Sequence, residues 1–201
     1  MTFTEFEAVL ELRRYTLHPG RRDELIALFE REFVESQEAA GMHLFGLFRE
    51  PASPSKFLWL RGFRDMAARR AALQSFYFGP VWAAHREAAN ALIADSDDVL
   101  LLRPAGPGFS AVPAGSRLSV TVCHPAPDFA SFFASEVAPA VGAFGCFETE
   151  PAENTFPRLP VRDDSVFVWF DRAETLPDLT PHLLKPALRL ELTPTTRSTL
   201  R

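Results

Sequence analysis

The chain has 201 residues, of which 47% are hydrophobic and 23% are charged. These proportions are typical of a globular protein and exclude a disordered tail or a fibrous repeat. The formal net charge of -5 gives no electrostatic footprint for nucleic acid or for an anionic membrane. Two cysteines are too few for a disulfide framework or a cysteine-rich metal site. We see no targeting signal and no apolar run long enough to span a membrane, so we expect a cytoplasmic protein.

The first half of the sequence alternates predicted strands and helices. Strands are predicted over 9–17, 42–49, 56–63 and 99–103, where alternating or continuous strand formers occur. Helices are predicted over 21–40 and 80–94, where apolar residues recur at helical spacing. A further helix is predicted over 65–75, which is rich in alanine and arginine. The helices over 65–75 and 80–94 fill one connection, so the order is β-α-β-β-α-β. This is the order of the split βαβ, or ferredoxin-like, unit.

Motifs of this first half recur later in the chain. The sequence Phe45-Gly46-Leu47-Phe48 returns as Phe144-Gly145-Cys146-Phe147, and Leu58-Trp59-Leu60 returns as Val168-Trp169-Phe170. His18-Pro19 also returns, as His124-Pro125. Because these matches keep their order and fall in the same strand positions, they predict a divergent duplication.

The duplication defines a domain organisation. We predict a first ferredoxin-like module over 1–103, a linker rich in proline and glycine over 104–116, and a divergent second module over 117–201. In the second module the first helix is predicted over 128–138, the second helix is almost lost over 174–184, and a last strand lies near 187–192. Two such sheets whose open faces meet can curl into a barrel. The predicted fold is therefore α+β, with tandem ferredoxin-like βαββαβ repeats forming an α+β barrel and the second repeat degenerate.

The space between the two sheets is the expected ligand cavity. Leu10 and Leu12 share one face of the first strand and are assigned to the helices, which leaves the opposite face for the cavity. The residues that would then line the cavity are Glu11, Arg13, Tyr15, His43, Arg49, Trp59 and Arg61. Tyr15, as an acid or donor, and His43, as a base, are the candidate catalytic residues in this set.

Each of these residues also has a structural interpretation that needs no ligand. Glu11 and Arg13 on the first strand could form an ordinary cross-strand ion pair. His43 could be a strand-end residue that makes one hydrogen bond to the backbone, and Trp59 could simply fill the core. Trp82 and His85 lie on one helical stripe and form an alternative pocket. No metal site and no cofactor are predicted, although ligation of haem by a single histidine such as His43 or His85 remains an open alternative.

The motifs of the first module resemble the NIPSNAP family. The resemblance rests on ELRRYTLHPG at residues 11–20, on Gly46-Leu47-Phe48, on Leu58-Trp59 and on Pro80-Val81-Trp82, and it covers residues 8–103. The segment Asn154–Arg162 is similar to the second module of bacterial members. The resemblance implies the dimeric α+β barrel superfamily, which agrees with the predicted duplication. That superfamily includes cofactor-free monooxygenases, haem-degrading enzymes, isomerases and binding proteins, so the resemblance implies no single reaction.

The resulting functional hypothesis is a small-molecule site in the barrel. We expect it to bind a small planar or aromatic molecule in the inter-sheet cavity, with cofactor-free monooxygenase or isomerase chemistry as an extension. The alternatives are a non-enzymatic protein-interaction module and a haem-binding protein. One chain can complete the barrel, so either a monomer or a homo-oligomer is compatible with the sequence. We expect no nucleic-acid partner.

Overall fold

The computed structural model describes residues 8–109, 115 and 117–201, and these residues form a ten-stranded antiparallel sheet flanked by helices. The strands are β1 (Val9–Leu17), β2 (His43–Arg49), β3 (Lys56–Phe63), β4 (Ile93–Asp95), β5 (Val99–Phe109), β6 (Ser119–Pro125), β7 (Gly145–Thr149), β8 (Phe167–Asp171), β9 (Leu183–Glu191) and β10 (Thr193–Pro194). The α-helices are α1 (Arg22–Leu28), α2 (Val34–Ala39), α3 (Met66–Tyr77), α4 (Pro80–Asn90), α5 (Phe129–Phe132) and α6 (Ala138–Val141), and a 3-10 turn covers Thr180–His182.

The strand order repeats, which confirms the predicted fold class. Apart from the short β4, which pairs with β1, the sheet runs β10-β2-β3-β1-β5-β7-β8-β6-β9. The first module contributes β2-β3-β1-β5 and the second contributes β7-β8-β6-β9 in the same relative order. β5 joins the modules by pairing with β7, and β10, which directly follows β9, pairs with β2 at the opposite end of the sheet. One chain therefore connects both ends of the sheet.

The first helix of each module contains one π-helical turn. Phe29–Phe33 separates α1 from α2, and Phe133–Val137 separates α5 from α6. The continuous helix predicted over 21–40 is thus helical throughout most of its length but widened at its centre. Such single-turn insertions are often found at functional sites, and the recurrence at the same place supports the duplication.

The end of β5 departs from the sequence prediction. A linker was expected over 104–116, but β5 continues to Phe109 and pairs with β7 around a register shift between Pro104 and Phe109. Residues 110–114 and 116 lie outside the described residues. The module boundaries remain a prediction.

The predicted assignment of strand faces is wrong. Leu10 and Leu12 lie in the barrel interior with Phe48, Leu58 and other apolar side chains, whereas Val9, Tyr15 and Trp59 pack under the helices. The inversion follows from burial on both faces: a strand with apolar residues on each side has no solvent face from which its orientation can be inferred.

A bulge further changes the alternation along β2. The register with β3 shifts between Leu44 and Gly46, so that Phe45 and Phe48 both face the barrel interior while Leu44 and Leu47 both face the helices. Strict alternation along a strand would place Phe45 and Leu47 on one face. An extra residue in one strand of a pair reverses the alternation beyond it.

The barrel interior is an apolar core. Side chains from both modules fill it, among them Phe45, Phe109, Phe147 and Phe170. Phe109 lies against the rings of Phe45, Phe147 and Phe170 with centroids 5.3, 4.8 and 5.2 Å away. Glu11, Arg13, Tyr15 and Arg61, which were expected between the sheets, lie instead on the face covered by the helices. The inter-sheet space therefore lacks the polar wall that was predicted for it. None of the described helices is long and apolar enough to cross a membrane.

Candidate functional site

A cluster of charged side chains is buried between the first module's sheet and its helices. Glu11 on β1 faces Arg61 on β3, because the two are cross-strand partners, and α3 adds Arg69 from above. Glu11, Arg61 and Arg69 are 0% exposed and Arg13 is 1% exposed. Glu11 Oε1 accepts from Arg69 Nε at 2.7 Å, and Glu11 Oε2 accepts from Arg61 Nε at 2.8 Å and from Arg13 Nη1 at 3.0 Å. One carboxylate therefore binds three guanidinium groups.

The cluster carries an excess of positive charge. The further side-chain partners of the three arginines are neutral: Tyr15 for Arg13, Gln37 and Met42 for Arg61, and Asn154 and Thr155 for Arg69. Three positive charges against one negative charge leave two uncompensated. Buried charge without a counter-charge is costly and in native proteins is usually paired or bound to a ligand.

The pKa shifts agree with this arrangement. Burial alone would raise the pKa of Glu11, but Arg61, Arg13 and Arg69 together hold it far below its usual value. Burial raises the pKa of the Tyr15 hydroxyl. Near neutral pH the site therefore contains an ionised Glu11 whose oxygens are already occupied and a protonated Tyr15 that can donate a hydrogen bond.

An aromatic cavity of about 100 Å³ adjoins the cluster. Arg13, Tyr15 and Gln37 supply polar groups to its wall, and the apolar part comes from residues that include Phe29, Phe33, Trp59, Tyr77, Trp82 and Leu159. Phe29 and Phe33 are the first and last residues of the π-helical turn. The ring centroids of Phe29 and Trp59 are 4.9 Å apart. A planar molecule in this space would meet rings on several sides.

Arg13 is the link between the charge cluster and the cavity. Its Nε donates to Tyr15 Oη at 3.2 Å and its Nη1 to Glu11, while its Nη2 has no hydrogen-bond partner among the described residues. The guanidinium carbon lies 5.4 Å from the Trp59 ring centroid. This geometry offers one charged donor and the Tyr15 hydroxyl beside an aromatic surface, which is the chemistry needed to hold an acidic oxygen of a planar ligand.

The structure brings together only part of the sequence-predicted site. Glu11, Arg13, Tyr15, Trp59 and Arg61 share one buried region, and Arg13, Tyr15 and Trp59 line the cavity. His43 lies at the start of β2 and stacks on Phe45, with ring centroids 4.4 Å apart. Arg49 pairs with Asp23 near the surface at 2.7 Å. Neither residue is part of the cavity wall that the structure describes.

The proposed alternative pocket is divided in the structure. Trp82 lines the same cavity as Tyr15 and Trp59, so it belongs to that site and not to a second one. His85, one turn further along α4, lies outside the cavity wall and approaches Glu32, with Nε2 3.3 Å from Oε2. Among the described residues, no group of three or more metal-ligating side chains could hold a metal ion.

Sequence reasoning missed Arg69, Gln37 and Leu159. Arg69 lies in a stretch of alanine and arginine that was interpreted only as a helix, although it falls at helical spacing from the buried residues Ala72, Leu73 and Phe76. α3 begins where Asp65 Oδ1 accepts from Ala68 N at 2.7 Å, and this start directs Arg69 towards Glu11. Leu159 belongs to the second module, and its approach to the first module follows from tertiary structure alone.

The corresponding face of the second module has a different charge balance. Trp169 on β8 occupies the position of Trp59, and Phe133 contacts it as Phe29 contacts Trp59. The buried Asp171 there is paired with one arginine, Arg189, through bonds of 2.7 and 2.9 Å. One negative charge thus meets one positive charge, and the excess of cations is a property of the first module.

Comparisons with known proteins agree with this architecture. Residues 10–106 match the NIPSNAP family model. A "putative monooxygenase" from Fusobacterium nucleatum is similar over 94% of this chain and 93% of its own, with a TM-score of 0.61 and 7% identity. A "putative monooxygenase" from Lactobacillus acidophilus is similar over 94% of each chain, with a TM-score of 0.54 and 15% identity.

A NIPSNAP-like domain protein from Burkholderia xenovorans covers 56% of this chain and 97% of its own, with 23% identity and a TM-score of 0.48. No curated protein matches the sequence. The two similarities that extend over both modules show a shared fold and, at these identities, nothing about chemistry. The family match leads to one conclusion: residues 10–106 of this chain are a domain of the NIPSNAP family.

Proposed function

We propose that the first module binds a small planar molecule carrying an acidic oxygen, in the cavity between its sheet and its helices. The observation that supports this proposal is the pair of uncompensated positive charges buried beside an aromatic cavity. A carboxylate, phenolate or enolate oxygen placed against Arg13 Nη2 would reduce that excess, because a charged acceptor forms the stronger class of hydrogen bond with a guanidinium.

The cavity volume limits the size of the ligand. An apolar cavity of about 150 Å³ accepts benzene, so the volume of about 100 Å³ here limits the enclosed part of a ligand to no more than about one ring. Pockets for drug-sized ligands usually measure about 300–1,000 Å³. A porphyrin is larger than such ligands, and His43 and His85 lie outside the cavity wall, so we do not propose haem as the ligand.

The chemistry of the wall favours binding and stabilisation of an anion. Arg13 and Tyr15 are donors, and Glu11 is unsuited to act as a base because both of its oxygens accept from arginines. Holding an oxyanion in a dry site is also what cofactor-free oxygenation or isomerisation of an enolisable ligand would need. We therefore include such chemistry in the proposal as an extension of binding, in keeping with the names of the structural neighbours. The ligand would enter already ionised, and in an oxygenation dioxygen would be the oxidant.

The packed barrel interior by itself would fit a non-enzymatic interaction module. We favour the small-molecule site because surface recognition would not require three buried arginines around one carboxylate. We also propose a cytoplasmic location, as expected from the sequence, and a monomeric barrel, one of the two oligomeric states with which the sequence is compatible. Support for the monomer comes from β10, which connects the last strand of the second module to β2 of the first. Light scattering would give 22.4 kDa for a monomer and twice that mass for the alternative.

Isothermal titration with benzoate and with benzamide tests the proposed function. These two molecules are nearly equal in shape and differ in charge. We expect benzoate to bind, and we expect Arg13→Met to weaken its binding by about ten- to a hundred-fold, because a hydrogen bond to a charged group contributes about 1.5–3 kcal/mol.

The matched control is Arg103→Met, which removes an exposed arginine paired with Glu148. This variant should leave benzoate binding unchanged. Equal affinities for benzoate and benzamide, or benzoate binding that is indifferent to Arg13→Met, would refute the charge-based site.

A further inference from the structure

A segment of the second module lies over the first module's cavity. It connects β7 to β8, and its residues 154–161 contact α3 and the aromatic wall. Asn154 Oδ1 accepts from Arg69 Nη1 at 2.9 Å, Thr155 Oγ1 donates to the carbonyl of Met66 at 3.2 Å, and the ring of Phe156 stacks on that of Tyr77 at 6.0 Å. Leu159 completes the contact by lining the cavity itself.

Internal hydrogen bonds hold this segment in its shape. Asn154 Nδ2 donates to the carbonyl of Leu159 at 2.8 Å, and the backbone N–H of Leu159 donates to the carbonyl of Phe156 at 3.0 Å. Asn154 therefore bonds at once to the charge cluster, through Arg69, and to the residue that touches the cavity. This links the position of Leu159 to the position of Arg69.

The edge of β5 anchors both ends of the connection. The N–H of Glu150 donates to the carbonyl of Leu101 at 2.9 Å, and the N–H of Arg162 donates to the carbonyl of Val99 at 2.8 Å. The equivalent connection in the first module, between β2 and β3, spans only residues 50–55. The longer connection is thus a feature of the second module, and it lies over the module with the excess of buried cations.

Leu159 separates the cavity from a second hollow. The outer hollow measures about 310 Å³ and shares Tyr77, Trp82, Asn90 and Leu159 with the cavity wall. Tyr77 and Trp82 pack edge to face with centroids 5.0 Å apart and are joined to Phe33 and Phe76 in one aromatic cluster. Of the four shared residues, Leu159 is the one that the second module contributes, so truncating it alters the shared wall without changing this aromatic cluster.

We infer that Leu159 is a specificity-determining residue, through which the second module limits the first module's site to ligands of about one ring. Asn154 is its positioning residue. This inference rests on the proposed function for the identity of the ligand. Whether Leu159 closes one side of the cavity can be measured without any ligand.

The measurement is solvent exchange of the indole N–H groups, followed by NMR. The Nε1 atoms of Trp59 and Trp169 are both buried without a hydrogen-bond partner among the described residues. Trp59 lies in the cavity and Trp169 at the equivalent place in the second module. Leu159→Ala should speed exchange of the Trp59 indole N–H by about tenfold or more, because local opening of the cavity wall to solvent becomes more frequent. The exchange rate of the Trp169 indole N–H is the internal control and should stay unchanged.

A pair of acids then tests specificity. For the wild-type protein we expect benzoate to bind more tightly than 2-naphthoate, and for Leu159→Ala we expect the ratio of the two affinities to fall by about tenfold or more, since a single methylene in a pocket can change discrimination by roughly 10–200-fold. Leu179→Ala, which removes a buried leucine from the second module's own core, is the matched control and should leave the ratio unaltered.

The outcomes separate the two proposals. Binding of benzoate with an unchanged ratio and unchanged Trp59 exchange in Leu159→Ala overturns the role of Leu159 and leaves the proposed function intact. Faster exchange at Trp59 with no binding of either acid overturns the proposed function and supports Leu159 as the wall of the cavity. Faster exchange at Trp169 to the same extent as at Trp59 indicates general destabilisation and overturns the inference.

Discussion

Glu11 and Arg69 lie 58 residues apart in sequence, and in the folded protein Glu11 Oε1 accepts from Arg69 Nε at 2.7 Å. This bond joins β1 to α3 inside the protein, where both side chains are fully buried. The same carboxylate also binds Arg13 and Arg61, so it is the shared counter-charge of the whole site.

Removing that counter-charge should destabilise the protein strongly. Glu11→Gln keeps the shape of the side chain and leaves three buried guanidinium groups without a carboxylate. We expect the free energy of unfolding to fall by about 3–5 kcal/mol, the range found when one partner of a buried ion pair is removed. Urea denaturation measures the change. The control Glu24→Gln breaks the exposed pair with Arg21 and should cost less than about 1 kcal/mol; similar losses in the two variants would contradict the assignment.

The same carboxylate predicts a pH dependence of stability. The arginines lower the pKa of Glu11 in the folded protein below its ordinary value of 4.5. In acid the unfolded chain therefore takes up a proton at Glu11 that the folded protein does not. As the pH falls below about 4.5, this one group should lower the free energy of unfolding by up to about 1.4 kcal/mol per pH unit. The stability difference between wild type and Glu11→Gln should be largest near pH 7 and should shrink towards pH 3. Parallel stability curves for the two proteins would exclude Glu11 as the source.

The two cysteines should be unreactive in the folded protein. Burial raises the pKa of the Cys123 thiol to about 12 and that of Cys146 to about 11. Both are therefore protonated at pH 8, and the thiolate is the form that reacts. We expect slow modification by a disulfide reagent at pH 8 in the native protein and rapid modification of both thiols in guanidinium chloride. Fast native labelling of Cys123 would show that β6 is less protected than the structure indicates.

The C-terminal segment should contribute to barrel stability. Leu200 is fully buried in the interior core, and its N–H donates to the carbonyl of Phe45 at 2.8 Å. Leu200→Ala should lower the free energy of unfolding by about 2–5 kcal/mol, as expected for a large core truncation. Thermal or chemical unfolding measures the loss. The control Leu188→Ala changes an exposed leucine of β9, and its free energy of unfolding should lie within about 0.5 kcal/mol of the wild-type value. An equally small effect of Leu200→Ala would place the C-terminal segment outside the cooperative core.

The sequence by itself determined the repeated α+β architecture of this protein. Hydrophobic periodicity and turn residues are local properties, and they were enough to predict the strands over 9–17 and 56–63, the helices between strands and the loss of the copied second helix. Recurrence of Phe45-Gly46-Leu47-Phe48 and of the Trp59 motif in the second half was enough to predict the duplication. The motifs at residues 11–20 and 80–82 also indicated the NIPSNAP family, to which residues 10–106 belong.

Only the tertiary structure decided where the site lies. Glu11, Arg13, Tyr15 and Trp59 were recognised as one strand face, but β1 and β3 are buried on both sides, and a strand without a solvent face carries no sequence signal for its orientation. The bulge between Leu44 and Gly46 places His43 on the opposite face from Trp59. Arg49 stays on the Trp59 face but pairs with Asp23 near the surface. Arg69 and Leu159 reach the site from a helix and from the second module, and contacts between residues so distant in sequence leave no local pattern. The charge excess that motivates the proposed function became visible only when these side chains were placed around one carboxylate.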